Sequence, residues 1–240
     1  MSSPRRGVAG RPSAEHSSIV KVAPSLMCAD QLRLGDEVAE LEKLGADFLH
    51  LDIMDGHYVP NLTFGTDHCR VLANAFATPL DMHLMVDEPD VWAPVFAAIG
   101  TAPIVTIHPE TTWHPARTLA GIREAGARPG IAVDPARSPE EFRNLLSLVD
   151  LVLIMTVNPG YAGQKLLPWA IESIKKAREL REAAGNDYLI EVDGNVSWAN
   201  IPSMVKAGAD VLVAGSSSLF DPSMDREKSM ARMRSLVVES

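Results

Sequence analysis

From position 19 onward, short apolar runs alternate with longer stretches in which apolar residues recur at helical spacing. Runs of this kind, near-continuous in Val, Ile, Leu and Ala, suit strands buried on both faces of a parallel sheet. The pattern predicts strands at 20–24, 48–52, 80–84, 104–108, 130–133, 151–155, 188–192 and 211–214. It predicts helices at 30–44, 67–76, after Pro89, and at 115–125, 138–148, 169–184, 198–207 and 225–238. Asp30 reads as an N-cap, Gly45 as a helix stop and Pro89 as a first-turn residue.

Eight strand–helix units in 240 residues leave no segment large enough for a second domain. The count and the length fit a closed (β/α)8 TIM barrel of the α/β class better than an open doubly wound sheet. No G-x-G-x-x-G follows the first predicted strand, which counts against a dinucleotide-binding sheet. A repeated Gly-Ala-Asp, at 45–47 and 208–210, precedes the second and eighth strands as a faint internal echo. The expected layout is a barrel domain over 19–240 behind a tail at 1–18, read as disordered and basic or as a start placed too early.

Apolar residues make up 46% of the chain but aromatics only 5%, so the core must be built from aliphatic side chains and Met. A net charge of -9 argues against nucleic acid as a partner. It leaves room for an anionic small molecule, because backbone N–H groups bind phosphate without Lys or Arg. Cys28 and Cys69 form neither a disulfide framework nor a metal-type spacing, and a reducing cytoplasm is the expected setting. No apolar run reaches the ~20 residues of a membrane span, and the first residues lack the apolar segment of a secretory signal.

The chain is arranged around 48–61, FLHLDIMDGHYVPN. His50 and Asp52 lie two apart on a predicted strand, hence on one face, just before a break at Asp55-Gly56. Alone, they read equally well as a buried His satisfied by an Asp. Barrel chemistry, however, gathers where strands end, and His83 and Asp193 stand at the ends of the third and seventh. His50, Asp52, His83 and Asp193 make a credible shell for one divalent ion per subunit, and these ligand types do not separate Zn, Fe, Mn and Co. Strands two and seven lie three steps of roughly 45° apart, so Asp52 and Asp193 could face each other across a substrate. Two opposed carboxylates suit removal of a proton from one face of a carbon and delivery to the other, with a metal holding a carbonyl oxygen and offsetting enediolate charge.

Asp81 and Glu191 share the inward parity one step deeper and read as supporting polar groups. Met54, Met85 and Met155 fall at or past strand ends, either as core filler or as an apolar lid. Glycine-rich turns at Gly160-Tyr161-Ala162-Gly163, Gly194-Asn195 and Gly215-Ser216 offer N–H groups to a phosphate. His57 reads as an exposed loop residue and His108 as structural, though it could line the pocket. Lys165 is poorly placed for a Schiff base, and 175–182 reads as a solvated helix face.

APSLMCAD, HLDIMDGHYVPNLTFG, LDMHLMV, HPET, MTVNPGYAGQ, EVDGN and AGSSSLF occur in this order from about 20 to 220. In these motifs the chain resembles the ribulose-phosphate 3-epimerase family of ketose-phosphate epimerases. The resemblance implies that His50, Asp52, His83 and Asp193 hold the metal and that Asp52 and Asp193 double as acid and base. It implies that Ser25 and His83 touch substrate, that the Gly160–Gly163 turn and Gly215-Ser216 hold phosphate, and that the three Met residues cap the intermediate. It also suggests a homo-oligomer. The pentulose enzymes usually read P-G-F-G-G-Q, V-D-G-G and S-I-L-S-A-D, whereas here stand Ala162, Asn195 and Ser25-Leu26-Met27-Cys28. Those departures look more like the allulose-6-phosphate 3-epimerase branch.

The expectation is therefore a metal-dependent 3-epimerase of a phosphorylated ketose, ribulose 5-phosphate to xylulose 5-phosphate first and allulose 6-phosphate to fructose 6-phosphate second. The rivals are a lyase or decarboxylase on the same scaffold and a catalytically silent sugar-phosphate binder.

Overall fold

The computed structural model describes residues 20–238; the tail expected over 1–18 lies outside them. Eight strands form one sheet: β1 (Lys21–Pro24), β2 (Leu49–Met54), β3 (Leu80–Met85), β4 (Ile104–Ile107), β5 (Arg128–Val133), β6 (Leu151–Met155), β7 (Leu189–Asp193) and β8 (Val211–Ala214). Every ladder is parallel, in the order β1-β8-β7-β6-β5-β4-β3-β2. Between β1 and β2 the ring closes by one parallel bridge, Ser25 to His50, and by the Asp47 N–H donating to the Val22 carbonyl at 3.0 Å. The helices are α1 (Leu34–Lys43), α2 (Thr66–Ala75), α3 (Pro89–Ala97), α4 (Pro115–Glu124), α5 (Ala170–Ala184), α6 (Ile201–Ala207) and α7 (Arg226–Val238). This is the expected (β/α)8 barrel.

Strand parity sorts the side chains into two layers. Leu49, Leu51, Ile53, Met82, Leu84, Val152, Ile154, Ile190 and Val192 pack outward in one large cluster with helix residues such as Val38, Leu72, Phe96 and Ile174. Ala23, Ile104, Ala132, Leu151, Leu153, Met155 and Val211 fill the lumen. The inward positions of β2, β3 and β7 instead carry His50, Asp52, Asp81, His83, Glu191 and Asp193, so the lumen is apolar on one side and polar on the other. Gly130 lies where a Cβ would come within 2.4 Å of Thr106 Oγ1, which is why the lumen has no side chain there.

Several boundaries differ from expectation. β2 runs to Met54, beyond the predicted end at 52, because Ile53 and Met54 continue the alternation until Gly56 turns the chain at φ +74°. His50 and Asp52 therefore sit within the strand. β7 is shifted one residue, so that Asp193 is its last member. The segment before α1 forms two short 3₁₀ turns, Leu26–Cys28 and Gln31–Arg33, and Asp30 caps the second by accepting from the Leu32 N–H at 3.0 Å. Pro139–Leu148 is a 3₁₀ helix opened by a Ser138–Glu141 capping box. Its buried positions, Pro139, Phe142 and Leu146, are spaced three and then four apart, a pattern that does not separate this geometry from an α-helix. The 175–182 face is not wholly solvated: Ala177, Leu180 and Arg181 are buried.

The Gly-Ala-Asp echo has a structural meaning. Asp47 Oδ2 accepts from the Val22 N–H at 2.8 Å and from Arg234 at 2.7 Å. Asp210 Oδ2 accepts from the Ile190 N–H at 2.8 Å and from Arg181. Each Asp thus ties the foot of its own strand to a strand beside it and pairs with an arginine.

Candidate metal centre and active site

The β2–β3 register sets His50 beside Asp81 and Asp52 beside His83, so four inward polar groups form two rungs. Asp193 approaches from the end of β7. One ligand atom from each of His50, Asp52, His83 and Asp193 lies within 4.8 Å of all the others. His50 Nε2 and His83 Nδ1 stand 3.4 Å and 3.5 Å from Asp52 Oδ1. Both imidazoles are fully buried.

Each imidazole has one nitrogen engaged and one free. His50 Nδ1 donates to Asp81 Oδ2 at 2.5 Å, and its Nε2 has no hydrogen-bond partner. His83 Nε2 lies 2.8 Å from His108 Nε2, and its Nδ1 has none. A buried ring nitrogen without a partner is costly. Two such nitrogens, turned toward two carboxylates with their far sides anchored, suit a divalent cation. The donor set fits the expected metal.

The carboxylates are held in opposite senses. Burial pushes Asp193 up to about 7, reinforced by the charge of Asp52. Burial also works to raise Asp52, but the His50 charge and polar contacts from His50 and His83 outweigh it and hold the group well below the usual range. Burial lowers His83 to about 4. Burial likewise acts to lower His50, yet the charges of Asp81 and Asp52 win and raise it. Glu191 is driven well above the usual carboxylate range by burial and then by the charge of Asp81. A pair of carboxyl groups driven apart in this way can carry one acid and one base at once.

Above the cluster opens a cleft. Asp52 and Asp193 border it, while His50 and His83 lie beneath and do not. Ser25 Oγ donates to Asp52 Oδ2 at 2.9 Å. Asp193 is fixed through its backbone: its carbonyl accepts from the Thr156 N–H at 2.8 Å and from Thr156 Oγ1 at 2.9 Å. Gly194 then turns at φ +109°, where a Cβ would stand 2.5 Å from Val157 Cγ2, so only glycine fits.

Met54, Met85 and Met155 all reach the cleft wall. Met54 and Met85 pack together with Val59, whereas Met155 belongs to the lumen core. The far wall is formed by Gly160, Tyr161, Ala162, Gly163, Gly194, Asn195, Gly215 and Ser216. None of the described residues lining the cleft is Lys or Arg, so an anion there would rely on N–H and hydroxyl groups. Lys165 and His57 are exposed and outside the cleft. Sequence reasoning missed the parts played by Tyr58, Glu110 and Thr156, and it set His108 aside. The only trace of that group was the His-x-Glu spacing of His108 and Glu110 at a strand end.

The sequence pattern of the Ribulose-phosphate 3 epimerase family matches residues 21–220. The ribulose-phosphate 3-epimerase of Bacillus subtilis (strain 168) is 41% identical over 217 residues, 90% of this chain and 99% of its own. That of Escherichia coli (strain K12) is 41% identical over 215 residues, 89% and 94% of the two chains. These relatives carry the ribulose-phosphate name, and the allulose 6-phosphate alternative is not favoured. Among solved structures, a mutant tryptophan synthase alpha-subunit from Pyrococcus furiosus superposes with a TM-score of 0.64 at 13% identity, covering 92% of this chain and 96% of its own. The thiamine phosphate pyrophosphorylase of Pyrococcus furiosus gives 0.59 at 15% identity, covering 93% and 98%. At such identities the likeness is one of fold. With the pattern running through nearly the whole barrel and the curated relatives matched along almost their full length, the chain belongs to the ribulose-phosphate 3-epimerase family.

Proposed function

We propose that the protein interconverts ribulose 5-phosphate and xylulose 5-phosphate by proton transfer at C3, with Asp52 and Asp193 as the catalytic pair. The observation that carries this reading is the pair itself: two carboxyl groups at the floor of one cleft, from β2 and β7, whose surroundings drive their proton affinities in opposite directions. The C3–H bond is acidified by the neighbouring C2 carbonyl. One Asp takes the C3 proton, the intermediate is an enediolate, and the other Asp returns a proton to the opposite face. In the reverse direction the two exchange roles.

His50, Asp52, His83 and Asp193 would hold one divalent ion, Zn, Fe, Mn or Co. When bound, it would polarise the carbonyl and offset negative charge on the neighbouring oxygens. Ser25, by donating to Asp52 Oδ2, orients that carboxyl group and leaves its other oxygen toward the cluster. The apolar faces of Met54, Met85 and Met155 keep water from the reacting carbon. The Gly160–Gly163 turn, Gly194-Asn195 and Gly215-Ser216 receive the phosphate through backbone N–H groups, in keeping with a cleft wall without Lys or Arg. The substrate is a phosphorylated ketose, and we read the working form as a homo-oligomer. Exposed Val91, Trp92 and Val95 on α3 support that. Among the described residues no helix is long and apolar enough to cross a membrane.

Assays of ribulose 5-phosphate and allulose 6-phosphate side by side test the substrate. The expected outcome is turnover of the pentulose well above that of the hexulose; the reverse order would refute the assignment. Asp193→Asn should lower turnover about a thousandfold while leaving thermal unfolding close to wild type. Near-normal turnover in that variant rules out the two-carboxylate mechanism.

A further inference from the structure

His108 follows β4 and opens the short turn Pro109–Thr111. It is fully buried, and its ring lies nearly parallel to that of His83, 29° between planes and 5.0 Å between centroids. Their Nε2 atoms are 2.8 Å apart, so one hydrogen lies between them. On its other side, His108 Nδ1 is 2.9 Å from Tyr58 Oη and 3.3 Å from Glu110 Oε1.

The hydrogens in this chain can be assigned one by one. Tyr58 has a single hydroxyl proton and donates it to Glu110 Oε1 at 2.9 Å. Its oxygen, and the Glu110 carboxylate, can then only accept from His108, so Nδ1 carries the hydrogen. With its ring hydrogen on Nδ1, His108 presents a bare Nε2, which accepts from His83 Nε2–H. His83 is left with a lone pair on Nδ1, the atom that has no hydrogen-bond partner and lies 3.5 Å from Asp52 Oδ1. Every member of the chain has one role that agrees with its neighbours. The other tautomer of His83 would put two lone pairs face to face across 2.8 Å.

We propose that His108, held by Tyr58 and Glu110, is a positioning residue that fixes the tautomer and ring angle of His83, so that Nδ1 is presented to the divalent ion. The inference rests on the metal reading of the cluster. His50 has the simpler form of the same device, an aspartate on its far nitrogen. For His83 the carboxylate stands one imidazole further away. The added length reaches out of the lumen to the loop after β2. In that loop Val59 packs against Met54 and Met85, and the Asn61 side chain donates to the Gly160 carbonyl at 3.3 Å. The support for His83 is thus built on a loop that packs against Met54 and Met85 and bonds to Gly160, three residues of the cleft wall.

The test compares the wild-type chain with His108→Ala, His108→Gln and Tyr58→Phe, each stripped of metal and titrated with Co²⁺ against a chelator. Co²⁺ absorption bands and thermal unfolding are recorded alongside. His108→Ala should weaken Co²⁺ binding ten- to a hundredfold and shift the bands. His108→Gln, whose amide oxygen can accept from His83, should recover part of the loss, and Tyr58→Phe should fall between. A purely structural role would lower thermal stability while leaving the affinity and bands of the folded protein unchanged. Should His108→Ala fail to fold, the glutamine and Tyr58→Phe variants decide. If the wild-type chain binds Co²⁺ and the folded variants bind within twofold of it with the same bands, this inference is overturned and the metal reading stands. If the wild-type chain takes up no Co²⁺, both are overturned.

Discussion

Asp52 and Asp193 are the same residue type in unlike surroundings, and the difference has a consequence for pH. In the metal-free fold Asp193 keeps its proton up to about 7, whereas an unfolded Asp releases it near its ordinary 3.8. As the pH rises between those values the unfolded chain sheds a proton that the folded chain retains. The stabilising contribution of this group is therefore complete below the lower value and lost above the upper one. On the proposed metal reading a divalent ion would take the place of that proton, so its benefit would grow with pH. Added Co²⁺ should raise the unfolding temperature more at about pH 8 than at about pH 5.5; an equal rise at both would contradict the assignment of Asp193. Asn195 makes a second residue-scale prediction. Among the described residues it is one of two non-glycine residues at positive φ, 46°, and its side chain accepts from the Leu166 N–H at 3.3 Å and from Asn200 at 2.8 Å. Asn195→Gly removes the strain and these ties together. KM for the phosphorylated ketose should rise severalfold with kcat and folding little changed, whereas an unaltered KM would detach this turn from the phosphate.

At this scale the four clustered residues were legible, because strand period and strand ends are local properties of sequence. His50 and Asp52 are two apart, Asp193 closes β7, and His83, predicted at a strand end, lies two residues inside β3 on the inward face. The His108–Tyr58 contact was not legible. It joins positions separated by 50 in the chain, and nothing in either segment marks the other.

Among elements, the feet of the strands show how the barrel is tied. Arg181, from a segment rich in charge, turns into the barrel wall to pair with Asp210 and donate to the Tyr188 carbonyl at 3.0 Å. Arg181→Leu leaves a largely desolvated carboxylate and should cost about 3 kcal/mol in urea unfolding. Arg143→Ala removes a surface pair with Glu140 and should cost less than about 1 kcal/mol. Comparable losses in the two variants would show that the Asp210 tie does not hold the strands. The strands and most helices were predicted to within a few residues, since apolar runs and caps mark them. The 3₁₀ course of Pro139–Leu148 was not distinguished, because a run of ten can be read with a period of three or of 3.6. The inward turn of Arg181 was hidden for a related reason: its partner is supplied by a different strand–helix unit.

For the whole molecule, the barrel followed from the count of units and from chain length, both of which survive errors in any single boundary. The repeated Gly-Ala-Asp was visible as an echo, but its role in closing the ring needed coordinates. The cleft joins the parts: acids from β2 and β7 on its floor, methionines on one side and glycine-rich turns on the other. The most direct test of two carboxyl groups serving one carbon is epimerisation in deuterium oxide, read by NMR at C3 of the product. The wild-type chain should place one solvent deuteron at C3 of each xylulose 5-phosphate formed, and Asp193→Asn should form almost none. Product that keeps its original hydrogen at C3, or an Asp193→Asn chain that labels at the wild-type rate, would contradict it.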